Sequence, residues 1–133
     1  MKFKVFAVGD KMENFYLEAI KEYEKRLSRY CDIKLNHIKK EEHLQSKLRS
    51  NSFVIAVSTT ELPISSEGLA SKIDNWASTG FSDVTIVIGA DGIPHHEVVT
   101  LSQMEMDFGL KTAILFEQVY RAYRIINNHP YHK

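Results

Sequence analysis

The sequence predicts an α/β fold, a parallel-type sheet covered by helices on both faces, and three observations lead there. Residues 3–8, 53–57 and 84–88 are short, mostly apolar runs of strand length, and 33–38 is an alternating one. The run 53–57 is continuously apolar and 84–88 is interrupted only by Thr85, the pattern of strands buried on both faces. Helical periodicity fills the intervals between strands, as it does in chains that build parallel sheets.

Taken in order, residues 3–8 form the first strand and stop at Gly9. A helix over about 13–30 follows, with Tyr16, Ile20, Tyr23, Leu27 and Tyr30 as its core stripe. Lys21, Lys25 and Arg29 recur at four-residue intervals beside Glu18 and Glu22, a row that reads either as an ordinary solvated face or as one turned toward RNA. Residues 33–38 alternate with period two, which makes His37 a strand residue rather than a ligand. The polar stretch 39–50 is expected to be a short helix. Beyond Pro63, Ser65 or Ser66 caps a helix that buries Leu69, Ile73 and Trp76 and ends before Gly80. Strand 84–88 runs into Gly89-Ala90-Asp91-Gly92, either a tight turn or a place where a ligand meets the carboxyl end of the sheet; it matches neither the dinucleotide fingerprint nor a P-loop. A helix is expected over 94–102 with Pro94 in its first turn. The alternation of Met104, Met106 and Phe108 predicts a fifth strand over 104–108, joined to the last helix by a very short link, Gly109-Leu110-Lys111-Thr112.

Composition narrows the function. A chain of 133 residues is expected to form one globular domain, residues 1–133, around one core. Seventeen basic and seventeen acidic residues balance, so an anionic partner has to be recognised by a local patch and not by the field of the whole molecule. Cys31 is the only cysteine, which excludes an intrachain disulfide and a multi-cysteine metal site. His95 and His96 are adjacent, point to different sides and make no metal pair, so no metal is expected. No apolar stretch approaches membrane-spanning length and no signal-peptide layout is present, so a soluble, cytoplasmic protein is expected. No Ser/His/Asp motif or paired-carboxylate motif supports hydrolysis.

The last seventeen residues, 117–133, are the most specific part of the chain. Leu115, Val119, Ala122 and Ile126 form an apolar stripe, while Glu117, Arg121, Arg124 and Asn128 occupy another face. On composition alone the tail is either a frayed end with an i,i+4 ion pair or a binding element. The second reading draws on Pro130-Tyr131-His132, a rigid kink, a ring and a titratable imidazole in succession.

These residues, together with Ala7-Val8-Gly9, Glu22-Tyr23-Glu24-Lys25-Arg26-Leu27, Ser65-Ser66-Glu67-Gly68-Leu69-Ala70 and Val87-Ile88-Gly89, make the chain resemble the ribosomal RNA large subunit methyltransferase H family of the SPOUT superfamily. The resemblance implies an S-adenosylmethionine-dependent enzyme that methylates N3 of a pseudouridine in large-subunit ribosomal RNA, free or in the assembled ribosome. It also implies a homodimer with the site near its interface and a C-terminal trefoil knot. Carried over by position, the cofactor would be held by Val57, by Gly89 and by a strand end aligned as Phe108, Gly109, Leu110, Lys111, Thr112 and Ala113. An ungapped alignment from the last helix places residues 101–106 there instead. His132, Arg121 and Tyr131 are the candidate catalytic residues; Arg124, His129 and Lys133 are the candidate RNA-binding ones. For each of these the competing role is a surface or dimer-interface residue, and for Arg121 an ordinary salt bridge.

Three departures from the family pattern stand out. Gly89-Ala90 replaces the family's Gly-Gly, and the stretch between Ile38 and Ser50 is short. The family's Phe-Pro-His segment and the arginine after it have no counterpart, and the gapped alignment places about seven missing residues between Thr112 and Ala113. That gap motivates two alternatives: a non-catalytic dimer that binds ribosome or RNA, and a methyltransferase acting on a different RNA.

Overall fold

The computed structural model describes residues 1–90 and 92–133. Five strands, β1 (Lys2–Val8), β2 (Asp32–Ile38), β3 (Phe53–Ser58), β4 (Asp83–Ile88) and β5 (Glu97–Thr100), form one all-parallel sheet in the order β2-β1-β4-β3-β5. Three helices accompany it: α1 (Asn14–Leu27), α2 (Ser66–Ser78) and α3 (Phe108–Ile126). All three pack on one face, where Phe3, Val5, Ile55, Ile86 and Ile88 meet Ile20, Leu27, Ile73, Leu115 and Phe116 in the main core. Among the described residues no helix is long and apolar enough to cross a membrane.

The opposite face is covered only toward the carboxyl ends of the strands. There Phe6, Val8, Ile38, Val54 and Val87 pack under Leu44, Ala90 and Ile93. Residues 39–50 form two single 3₁₀ turns, Glu41–His43 and Gln45–Lys47, in place of the expected helix. A stretch with so few apolar residues gives a longer helix little to bury, and Leu44 alone is fully enclosed.

Side-chain caps open α2 and α3. Ser65 accepts the Gly68 N–H at 3.0 Å to open α2, and Gly80, at φ +91°, follows its end. Asp107 accepts the Gly109 N–H at 2.8 Å and opens α3. That cap corrects the expected boundaries: Phe108, Gly109, Leu110, Lys111, Thr112 and Ala113 are the first turns of α3, not a strand end followed by a link. Gly109 and Thr112 are buried; a Cβ on Gly109 would come 2.7 Å from the Tyr16 ring, so this glycine lets α3 approach α1.

Two further expectations change. Residues 104–108 are not a strand. The helix expected over 94–102 is replaced by β5, whose Val98, Val99 and Thr100 are β-branched and suit a pleated surface. His96 starts this pairing from both sides, donating its N–H to the Val54 carbonyl (2.8 Å) while its Nδ1 accepts the Val54 N–H (3.0 Å). With β5 filling that edge, residues 101–107 cross as an irregular segment to α3, and Met104 within it is 74 % exposed.

Candidate active site

The carboxyl ends of β3 and β4 hold two of the expected cofactor positions. Gly89 adopts φ +84°, and a side chain there would run into the Val8 carbonyl oxygen of the neighbouring strand. Only glycine satisfies both conditions, so the turn after β4 is fixed by backbone geometry. Asp91 lies outside the described residues. Val57 lines a cavity of about 240 Å³ together with Ser58, Glu61, Gly92, Ile93 and Val98. The third expected segment, 108–113, is helical and partly buried. The element that leads from a strand end to α3 is instead residues 101–107, which runs against the 59–64 loop: Ile64 N–H donates to the Thr100 carbonyl (2.8 Å) and Gln103 Nε2 to the Glu61 carbonyl (3.1 Å).

The gap of the gapped alignment, between Thr112 and Ala113, falls inside α3, which runs without a break from Phe108 to Ile126.

The tail docks back on α3 and does not fray. Glu117 is the hub. Its Oε2 accepts from Arg121 Nη2 and from the Tyr131 hydroxyl, both at 2.9 Å, and its Oε1 from Gln118 Nε2 at 2.6 Å. The Arg121 guanidinium lies 4.7 Å from the centroid of the Tyr131 ring. Burial, together with hydrogen bonds to Tyr23 and Glu117, raises the Tyr131 hydroxyl well above the ordinary tyrosine range, so it stays protonated and donates.

His132 is held by both ring nitrogens. Arg121 Nη1 lies 3.1 Å from Nδ1, and Glu67 Oε2 lies 2.7 Å from Nε2. A guanidinium only donates and a carboxylate only accepts, so in the neutral ring these partners select the tautomer with its proton on Nε2 and its lone pair on Nδ1 facing Arg121. The three candidate catalytic residues thus form one cluster. Glu67 and Gln118 belong to it, and sequence reasoning gave neither a role. Their signal was present in the two motif segments, Ser65-Ser66-Glu67-Gly68 and Glu117-Gln118, which meet where Ser66 Oγ donates to Gln118 Oε1 at 2.6 Å.

The candidate RNA-binding residues divide. Arg124 and His129 meet at Tyr30, whose oxygen accepts from Arg124 Nη1 (3.0 Å) and lies 2.7 Å from His129 Nδ1. Arg124 also donates to the Pro130 carbonyl at 2.8 Å, so both residues hold the tail in place. Lys133 is exposed at the end of the chain. No hydrogen bond among the described residues joins the tail cluster to Val57 or Gly89. The nearest connection is Gln118, which with Ser66 and Leu101 lines a second cavity of about 280 Å³.

The Glu67 contact is testable through pH. The hydrogen bond from His132 holds the Glu67 carboxyl below its ordinary value of 4.5. A carboxyl whose folded-state pKa is depressed contributes stability that is present above its unfolded pKa and is lost as pH falls through the folded value. The thermal midpoints of the wild-type protein and Glu67→Gln are therefore expected to differ above pH 4.5 and converge below it. A gap that does not change with pH would refute this contact.

Comparison with known proteins agrees with the architecture. The family described as "Predicted SPOUT methyltransferase" matches residues 1–132. Ribosomal RNA large subunit methyltransferase H 1 of Thermoanaerobacter sp. is 45 % identical over 133 residues, covering all of both chains. Ribosomal RNA large subunit methyltransferase H 1 of Clostridium perfringens is 34 % identical over 159 aligned positions, and the putative enzyme of that name from Methanococcus maripaludis is 31 % identical over 159, again across all of each chain. The first of these aligns without the extra length of the other two, so the short form is shared by a protein that bears the methyltransferase name. The chain belongs to the SPOUT methyltransferase family.

Proposed function

We propose that this protein transfers a methyl group from S-adenosylmethionine to N3 of a pseudouridine in large-subunit ribosomal RNA, in the cytoplasm and as a homodimer. The observation that carries this reading is the end-to-end 45 % identity to a relative named for large-subunit ribosomal RNA methylation. The ordered tail cluster supports it, because a chain without catalytic work would have little need to hold His132 in one tautomer.

The donor set fits the cofactor. Val57, Ile93 and Val98 offer apolar walls to a purine ring, and the Glu61 carboxylate lines the same cavity, suited to a cationic ligand. We place the third contact segment at residues 101–106, since that stretch leaves the carboxyl end of β5 beside the 59–64 loop. The bound cofactor supplies a methyl carbon already activated by sulfonium charge. The chain's own task is to orient the imide nitrogen and to favour its deprotonated form.

Arg121, steadied by Glu117, would stabilise the imide anion, and His132 Nδ1 would accept its proton once Arg121 turns from the ring to the substrate. Tyr131 packs against the guanidinium and keeps it aimed. The cavity of about 240 Å³ is smaller than a complete cofactor requires, and Leu62 and Met104, 87 % and 74 % exposed on the two loops beside it, are apolar surface for a second protomer to cover. The path from edge strand β5 past the 59–64 loop to Gly9, where Phe108 packs, is the course that a threaded C-terminal crossing would take.

Calorimetric titration with S-adenosylmethionine and S-adenosylhomocysteine tests the pocket first. Micromolar binding, followed by methyl transfer to hypomethylated ribosomes, is expected. A folded dimer that binds neither compound would favour the non-catalytic alternative.

A further inference from the structure

The sheet face opposite the helices is uncovered toward the amino ends of its strands, and that open half is basic. Because strand side chains alternate, Lys2 and Lys4 share a face with Phe6 and Val8, while Lys34 and Asn36 share it with Ile38. Register places Lys4 directly beside Lys34 on one side and Thr85 on the other. Leu44 and Ile93 cover the apolar end of this face, residues 49–52 lie beside Thr85 on its β4 side, and the β1–β2 part of the polar end is left open. There Lys2, Lys4, Lys34, Lys47 and Arg49 line a groove of about 500 Å³.

The charge in this groove is unspent. Among the described residues none of the five cations makes an ion pair or a side-chain hydrogen bond. The carboxylates facing them are Asp32 in the groove and Asp83 at its margin, both in register with Lys2. Five positive charges against two negative leave an excess of three on one surface of a chain whose formal net charge is zero. Gathering like charges costs free energy through mutual repulsion, and a polyanion relieves that cost on binding.

We infer that this open half-sheet binds the phosphate backbone of RNA, at the opposite end of the sheet from Gly89 and on the opposite face from α3 and the tail cluster docked on it. Polar groups without an apolar anchor favour a sugar–phosphate backbone over an acidic peptide: Phe3 and Phe6, the aromatic residues at the groove, are 2 % and 4 % exposed. Lysines and an arginine on strands and a short loop fix a strand's position without reading its sequence. The inference goes beyond the methyl-transfer reading. It gives this short chain a second RNA contact on a face that its reduced 39–50 connection leaves open.

The test is fluorescence anisotropy with a labelled single-stranded RNA, comparing the full-length wild-type protein with the double variant Lys34→Gln/Arg49→Gln across a range of salt. Both side chains are exposed, so the fold is retained, and thermal unfolding checks that. Losing two phosphate contacts is expected to reduce the slope of log affinity against log salt by about 1.4, equivalent to about 25-fold at 0.1 M relative to 1 M salt. S-adenosylmethionine affinity is expected to stay unchanged. An unaltered slope, no RNA binding by the wild type, or an acidic peptide bound as tightly as RNA would each overturn the inference. Absent methyl transfer alongside the expected slope change would count against the enzymatic reading while supporting this surface.

Discussion

Replacing His132 with alanine is expected to lower methyl transfer to hypomethylated ribosomes by about 100-fold or more, the usual loss when a positioned acid–base group is removed. Affinity for the cofactor is expected to change by less than about twofold, because the imidazole contacts Arg121 and Glu67 and no residue of the Val57 cavity. The fold should survive the change. Arg121 keeps its pair of hydrogen bonds to Glu117, and Tyr131 keeps its own, so the tail remains docked. His132→Gln separates two roles. An amide offers Arg121 an acceptor and Glu67 a donor but takes up no proton near neutral pH. Recovery of activity by glutamine would make His132 a positioning residue for Arg121; a glutamine variant as poor as alanine, with the pH dependence of turnover flattened, would make it the base. Unchanged turnover in the alanine variant would remove His132 from the mechanism.

Gly89→Ala is expected to destabilise the protein by about 2–4 kcal/mol, summing the cost of a non-glycine residue at positive φ and of overpacking against a strand. The obstacle is the Val8 carbonyl, a backbone atom within the β1 part of the sheet, and it cannot rotate away as a side chain could. Relief requires β1 and β4 to shift at their carboxyl ends, where Val57 and the turn meet the cavity, so cofactor affinity is expected to fall as well. Gly92→Ala is the control. Its φ of +77° imposes a similar conformational demand, yet nothing lies within 4 Å of a Cβ there, and its cost should stay near 1 kcal/mol. Chemical unfolding of the two variants side by side distinguishes the cases. Equal losses would mean that the close approach to Val8 is not what requires glycine after β4.

Much of the fold is legible in the local pattern. Tyr16, Ile20, Tyr23 and Leu27 specify α1, Ser65 followed by Leu69, Ile73 and Trp76 specifies α2, and the mostly apolar runs in β3 and β4 specify central strands. Those signals are local because a helix stripe or a strand face is set by neighbours a few residues apart. The errors fall where two local rules compete. Glu97 to Thr100 can read as a helix after Pro94 until β3 offers it an open edge, and the alternation of Met104, Met106 and Phe108 yields to the cap at Asp107.

The sequence by itself determined β1 to β4 and the three α-helices, the α/β class, the family and the identity of the tail residues. It did not determine the strand order β2-β1-β4-β3-β5, the crossing at 101–107, or the meeting of His132 with Glu67 across a separation of 65 residues. Nor did it show that Lys2, Lys4, Lys34, Lys47 and Arg49 share one groove, since their spacing along the chain has no period. Contacts of this kind depend on which edges and faces remain free after the nearer elements have paired. That choice belongs to the assembled chain, because the free energy of each long-range contact is shared with every neighbour that must be in place before it forms.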